Sequence, residues 1–378
     1  MDLLRCALPP LADPTLAEAA LRPFLADHAC QALAAARARP ATAGATLAAW
    51  FRRTRRLGSR DRRRVSKLVY GLVRHESLLG RVAGPEDQDR LPALSRLLAG
   101  DRFPELSSQG EDADLATALS LPLAVAVQWR AALGSAEACA LAATLAGRAP
   151  MYLRVNLARG SREQAAAALA EEGVATTPVG PFGLRVEGRA NLGGTQALRE
   201  GRVEVQDRSS QALIEALAQA EELAGARVLD LCAGAGGKSL ALAALGARVQ
   251  AWDLRPTALA ELGRRAARAG VTVHVAPPRG SYDLVLVDAP CSGTGRLMRE
   301  PTLRWDLDPT RYLAVQAELL AQGAGHTRRG GQLAYATCSL LAAENDPPVP
   351  EGLALEQAVI RWPHRVEGDG FGWRLWRA

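Results

Sequence analysis

Two cysteines pose the chemical question of this chain. Cys291 lies in Asp288-Ala-Pro-Cys-Ser-Gly-Thr-Gly295, at the end of a short apolar run over 282–287 that Pro290 and Gly293 close. That pattern predicts a buried strand carrying an acid and a thiol to its carboxyl end. Cys338 ends a second such run, 331–336, within Thr337-Cys-Ser339. In open α/β sheets the carboxyl edge is where ligands bind. A thiolate can attack C6 of a pyrimidine; a group near N3 and a base for the C5 proton complete the scheme once C5 has taken a methyl group. Asp288, Cys291 and Cys338 supply those residue types. Their spacing alone leaves this chemistry open beside a purely structural role. A lone cysteine is ordinarily a small buried hydrophobe, which is the reading for Cys6, Cys30, Cys139 and Cys232.

A second cluster of small residues, Cys232-Ala-Gly-Ala-Gly-Gly-Lys-Ser239, follows an apolar run at 227–231 and precedes a helical pattern. Gly234, Gly236 and Gly237 in such a turn let backbone approach a ligand, with helix N–H groups facing it. Asp253 ends the next predicted strand, an acid suited to a ribose diol. Together they point to a nucleoside-bearing cofactor, with a nicotinamide dinucleotide still possible on this ground alone. A phosphate-binding P-loop is excluded, because Cys232 stands where its first glycine is required. Only Lys67 and Lys238 are lysines. Lys238 within the glycine loop therefore suggests a compact ammonium that a planar guanidinium cannot replace.

These groups need elements to position them. The 378 residues are more than one core usually organises. The six cysteines are scattered with no CxxC pair, which argues against a zinc site and a disulfide framework. No apolar run approaches a membrane span and no signal pattern opens the chain, so a cytoplasmic protein is expected. Residues 1–84 hold fifteen Arg/Lys against six Asp/Glu, although the whole chain has a net charge of only +6. A basic helical end on a near-neutral body suggests a polyanion partner, with a merely solvated face as the alternative. Ser59 is a plausible N-cap for a helix whose Val65, Leu68, Val69, Leu72 and Val73 form one stripe. Helices are expected over 122–133 and 136–146, broken at Gly134-Ser135. A small α+β module begins near Pro150, with strands at 151–155 and 183–186 around a helix at 162–172. From residue 201 strands alternate with helices, the pattern of a doubly wound parallel sheet. Ser209 is read as a cap, Asp308-Pro309 as the start of a helix over 309–327, and strands near 358–362 and 372–376 as an antiparallel edge.

The motifs then become specific. Asp288-Ala-Pro-Cys-Ser-Gly-Thr-Gly295, Arg299-Glu-Pro301, Arg304-Trp305, Thr337-Cys-Ser339 and Glu344-Asn345 together resemble the Sun/Fmu-type RNA cytosine-5 methyltransferases. Val205-Gln-Asp-Arg-Ser-Ser-Gln211 resembles the motif preceding their cofactor domain, and Asp230–Ser239 their S-adenosylmethionine loop. Leu153-Arg-Val-Asn156 resembles the start of their small RNA-binding module. Leu57-Gly-Ser-Arg-Asp-Arg62 with Val69-Tyr-Gly-Leu-Val-Arg74 resembles the NusB-like helical domain of the bacterial ribosomal-RNA members. The resemblance implies an α/β fold: a Rossmann-like S-adenosylmethionine-dependent methyltransferase domain at 205–378. An all-α NusB-like domain at 1–147 and a small α+β module at 148–204 would precede it, both binding RNA.

The family's roles transfer residue by residue. Cys338 would be the nucleophile on C6, and Cys291 would assist C5 proton removal and release of the enzyme. Asp288 would hold the base near N3, supported by Lys238. The cofactor would lie against Cys232, Ala233, Gly234, Ala235, Gly236, Gly237 and Lys238, with Asp253 on the ribose and Asp288 beside it. No metal and no membrane is implied. The partner would be RNA, ribosomal RNA or a small-subunit assembly intermediate, and the protein a monomer. Two departures stand out: Ala235 replaces the family's proline, and Ala276-Pro-Pro-Arg279 lacks the acid that usually faces adenine. Competing readings are an RNA-binding or assembly protein with weak or lost catalysis, a transfer-RNA cytosine-5 methyltransferase, and a DNA cytosine methyltransferase. The last uses the Pro-Cys thiol as nucleophile and has no use for Cys338.

Overall fold

The structure is a computed structural model that describes residues 3–6, 13–103, 105–188 and 190–378, without the side chains of Arg5 and Cys6. The reading of Cys6 as a buried residue therefore lies outside what is described. The chain forms two compact units, 1–148 with 292–309, and 149–291 with 310–378.

The first unit is helical. Its helix Ser59–Arg74 buries Val65, Leu68, Val69, Leu72 and Val73 as the stripe requires. The N-cap is Gly58 rather than Ser59, which is already helical. Leu25, Leu33, Leu47, Leu94 and Phe103 join the same core. Helix Leu123–Ala146 is interrupted at Gly134, whose φ of 74° and ψ of 165° no helix contains. A glycine adopts that conformation without a Cβ penalty. By sequence, segment 292–309 falls within the catalytic domain, yet it belongs to this unit. Two 3-10 turns, Thr294–Arg296 and Pro301–Asp306, shape it. Buried Arg304 donates to Leu119 O at 2.8 Å and Pro301 O at 3.2 Å, and Arg74 donates to Met298 O at 3.1 Å. Trp305 Nε1 donates to Glu76. Burial, with Arg304 and Arg74 nearby, pushes His75 down to about 3.

The second unit holds two sheets. The smaller has the order β2-β3-β1-β4 and is antiparallel, with β1 at Met151–Val155, β2 at Thr176–Val179, β3 at Gly183–Val186 and β4 at Val203–Val205. Its helix Arg162–Glu171 starts with a capping box between Ser161 and Gln164. Buried Asn156 donates to Gly201 O at 2.8 Å and to Ala269 O at 2.7 Å. Glu204 pairs with Arg265 at 2.9 Å and Arg268 at 2.5 Å. These bonds tie the small sheet to helix Pro256–Ala269, since Ala269, Arg265 and Arg268 all lie on it.

The larger sheet has the order β10-β11-β9-β8-β5-β6-β7. Strands β5 (Arg227–Asp230), β6 (Arg248–Ala251), β7 (Val273–Val275), β8 (Tyr282–Asp288) and β9 (Thr327–Thr337) run parallel. β10 (Ala354–Arg361) and β11 (Phe371–Arg377) add the antiparallel edge. Leu284, Val285, Leu286 and Val287 are all buried, as a strand covered on both faces must be. Helix Leu313–His326 packs closely on this layer because Gly323 has no side chain; a Cβ there would lie 2.8 Å from Val287 Cγ2. That helix starts at Leu313, not at Pro309, and Asp308 does not cap it. Ser209 likewise lies inside helix Arg208–Ala220, and the cap is Asp207, which accepts from Ser209 N. No single helix among the described residues is long and apolar enough to cross a membrane.

Candidate active site

β5 lies between β6 and β8, so connections leave it in opposite directions and a crevice opens beyond its carboxyl end. Asp230 ends β5, Asp288 ends β8 and Thr337 ends β9. Asp253 follows β6. Four of the chemically equipped segments thus converge on one sheet edge.

The glycine loop leaves β5 and enters helix Gly237–Ala244. Gly234 and Gly236 have φ of 54° and 83°. At Gly236 a Cβ would lie 2.6 Å from Leu262 Cγ, so close packing adds to the conformational demand. Gly234 N donates to Asp253 Oδ2 at 2.8 Å, and Arg265 donates to Ala235 O at 2.7 Å. Asp253 is buried and also accepts from Arg255 Nε at 2.9 Å. Hydrogen bonding to Arg255 holds its carboxyl below the usual range. Ser239 Oγ donates to Asp230 Oδ2 at 2.6 Å, while Asp230 Oδ1 is buried with no partner. Burial pushes Asp230 up to about 7. After β7, where no acid stands, Gln250 Nε2 holds Pro277 O at 2.8 Å.

Lys238 points into the crevice. Its Nζ lies 2.6 Å from Asp288 Oδ2 and 5.1 Å from the centre of the Phe371 ring. Burial pulls the ammonium down, but Asp288 and Asp230 outweigh it and hold it above its ordinary value. Cys291 Sγ and Cys338 Sγ are 3.4 Å apart, both half-buried. Cys232 differs: burial, Asp230 and Asp288 push its thiol up to about 12, so it stays protonated and packs. Cys139 is buried and Cys30 half-buried. The structure brings together Lys238, Asp288, Cys291 and Cys338, and separately the glycine loop with Asp253. Among the described residues no group of three or more His, Cys, Asp or Glu is placed to hold a metal.

Several contributors are silent in the sequence. Asp230 and Ser239 stand out there only as members of a motif. Arg255 and Phe371 give no signal, because what they touch is distant or conformational. Gln316, whose Nε2 donates to Pro290 O beside Cys291 at 2.8 Å, gives none either: one glutamine in a helix reads as surface.

Residues 216–370 match the family model for the 16S rRNA methyltransferase RsmB/F, and residues 122–192 that for a Methyltr_RsmF/B-like, ferredoxin-like domain. These two stretches are what the chain shares with the RsmB/F methyltransferases. Among its relatives, ribosomal RNA small subunit methyltransferase B of Citrobacter koseri is 34% identical over 254 residues, 59% of each chain. That of Klebsiella pneumoniae is 37% identical over 224 residues, 55% of this chain and 51% of the relative. The chain thus spans between half and three-fifths of the curated relatives it matches. In fold, the chain is similar to the crystal structure of PH0851, with a TM-score of 0.73 at 21% identity over 93% of this chain and 98% of that one. A methyltransferase homolog protein from Pyrococcus horikoshii gives 0.61 at 23% identity, covering 72% of this chain and 99% of that one. The Rossmann-like sheet and the helical N-terminal region are the architecture expected of the chain.

Proposed function

We propose that this chain is an S-adenosylmethionine-dependent methyltransferase that forms 5-methylcytosine in RNA, with 16S ribosomal RNA as substrate, through a covalent bond between Cys338 and C6 of the base. The observation that carries the reading is the 3.4 Å separation of Cys291 and Cys338 at the ends of β8 and β9, beside the Lys238–Asp288 pair. Two thiols in contact next to an acid are unusual as packing and useful as chemistry.

The cofactor fits the residues present. The backbone of Cys232, Ala233, Gly234, Ala235, Gly236 and Gly237 would cradle it, because side chains at Gly234 and Gly236 would be strained. Asp253, buried at the loop, suits the ribose, and Asp288 and Lys238 border the reacting end. The cofactor, when bound, supplies an electrophilic methyl group. The Cys338 thiolate adds to C6, raising electron density at C5, while Asp288, held by Lys238, bonds the base near N3. Once C5 is methylated, Cys291 assists removal of the C5 proton. The electron pair of that C–H bond restores the C5–C6 double bond, and the C6–S bond breaks to return the Cys338 thiolate.

The helices of 1–147 and the module at 148–204 would bind RNA, with 205–378 catalytic, in a cytoplasmic monomer. The test is transfer of labelled methyl from S-adenosylmethionine to 16S ribosomal RNA, with nucleoside mass spectrometry. 5-methylcytosine formed on that RNA supports the reading. RNA binding without any transfer favours an assembly protein, and transfer only to transfer RNA moves the substrate.

A further inference from the structure

We propose that Asn345, Glu344 and Gln316 form one positioning network that sets the separation of the two active-site cysteines, an inference that rests on the roles just assigned to them. Thr337 and Ser339 flank Cys338. Thr337 Oγ1 donates to Asn345 Oδ1 at 2.8 Å, and Asn345 Nδ2 donates to Ser339 O at 2.9 Å and Leu341 O at 3.1 Å. One amide therefore brackets Cys338 from both sides. Pro290 precedes Cys291, and its carbonyl accepts from Gln316 Nε2 at 2.8 Å. The same Nε2 lies 3.3 Å from Glu344 Oε1. Two consecutive residues thus reach the two cysteine turns, Asn345 directly and Glu344 through Gln316.

The dipeptide is itself fixed. Tyr335 OH on β9 donates to Glu344 O at 2.9 Å, and Arg374 Nε on β11 donates to Asn345 O at 2.6 Å. Gln316, Glu344, Asn345, Thr337 and Ser339 are all buried, so each bond works where water does not compete. Gly372, paired with Thr337 across β9 and β11, makes room: a Cβ there would lie 2.0 Å from Asn345 Oδ1. A glycine whose absent side chain is the space an amide occupies is what a network held at close quarters needs. None of the three residues is assigned contact with substrate; they act through the turns. Asn345 would govern attack, since it holds the Cys338 turn, and Gln316 would govern release, since it holds the Cys291 turn.

Two readouts test this. The first needs no substrate. Diamide oxidises the two thiols to a disulfide while being reduced to its hydrazine, and peptide mass spectrometry follows the Cys291–Cys338 crosslink. Asn345→Ala, Gln316→Ala and Gly372→Ala are each expected to slow crosslinking ~10–100-fold, the penalty for ångström-scale misplacement of reacting groups. The second readout is the RNA adduct. Asn345→Ala should form less of it, whereas Gln316→Ala should accumulate it on methylated RNA. A merely structural role would lower both steps together. Should Asn345→Ala fail to fold, Gln316→Ala, which removes one side-chain amide, decides. Crosslinking within about twofold of wild type in the folded variants overturns the network. If Cys291→Ala, in which release is blocked, forms no adduct, the assigned chemistry fails, and the crosslink still reads the positioning in the cysteine-intact variants.

Discussion

Lys238 Nζ meets Asp288 Oδ2 at 2.6 Å, an ammonium from the glycine-loop helix against a carboxylate at the end of β8. Phe371 lies 5.1 Å from the same ammonium. Under the proposed mechanism the pair would join the cofactor side of the crevice to the base side. Lys238→Met should cost about 1.5–3 kcal/mol of stability, as for a hydrogen bond to a charged group, and should lower methyl transfer far more than RNA affinity. Lys238→Arg should not restore transfer, because a planar fork cannot replace a compact charge. Urea unfolding and labelled-methyl assays on the two variants check both statements.

Asp230 gives a pH dependence. Burial raises its folded value to about 7 from an unfolded 3.8, so the proton is held more tightly in the folded chain. Below the unfolded value both states are protonated and the stability is fully present. Between those limits the unfolded chain ionises first, and this contribution is lost as pH rises through the folded value. Asp230→Asn should remove that slope, which is at most about 1.4 kcal/mol per pH unit. Urea midpoints of the cofactor-free protein across this window should fall with pH more steeply for wild type than for the variant.

Gly236 tests the loop. Its φ of 83° and the 2.6 Å approach of Leu262 leave no room for a methyl group. Gly236→Ala should lose about 1–2 kcal/mol from the left-handed backbone alone. Calorimetric titration should show weaker binding of S-adenosylmethionine, while Gly263→Ala, with open space around it, serves as a control.

The arginines divide into two groups. Arg52, Arg53, Arg55, Arg56, Arg60 and Arg63 are exposed. Arg62 is half-buried and donates to Thr54 O at 3.3 Å, and Arg74 donates to Met298 O. Replacing Arg55, Arg56 and Arg60 with glutamine should weaken RNA binding and flatten its salt dependence by about 0.7 for each phosphate no longer neutralised. Arg62→Gln should instead lower the unfolding midpoint with the salt slope unchanged.

What could be read from residues alone follows from how local each signal is. The stripe of Ser59–Arg74, the apolar β8 and the glycine turn are local patterns, and the structure has elements there. Helix starts are less legible: Ser59, Ser209 and Asp308 are good capping residues, but Gly58, Asp207 and Tyr312 precede the helices. Several residues near a boundary can cap, and tertiary packing chooses among them. β2 and β4 leave little trace, being only four and three residues long. Segment 292–309 joins the helical unit because Arg304 and Trp305 find partners at Leu119 and Glu76, which no local pattern can reveal. Cys291 and Cys338 are legible as strand ends; their contact depends on β8 and β9 being neighbours.

The central claim is that Cys338 attacks and Cys291 releases. The direct measurement is a denaturing gel of protein incubated with S-adenosylmethionine and 16S ribosomal RNA. Cys291→Ala should accumulate a slow-migrating covalent RNA complex, and Cys291→Ala combined with Cys338→Ala should show none. A complex formed by Cys338→Ala, or surviving in the double variant, would contradict the assignment.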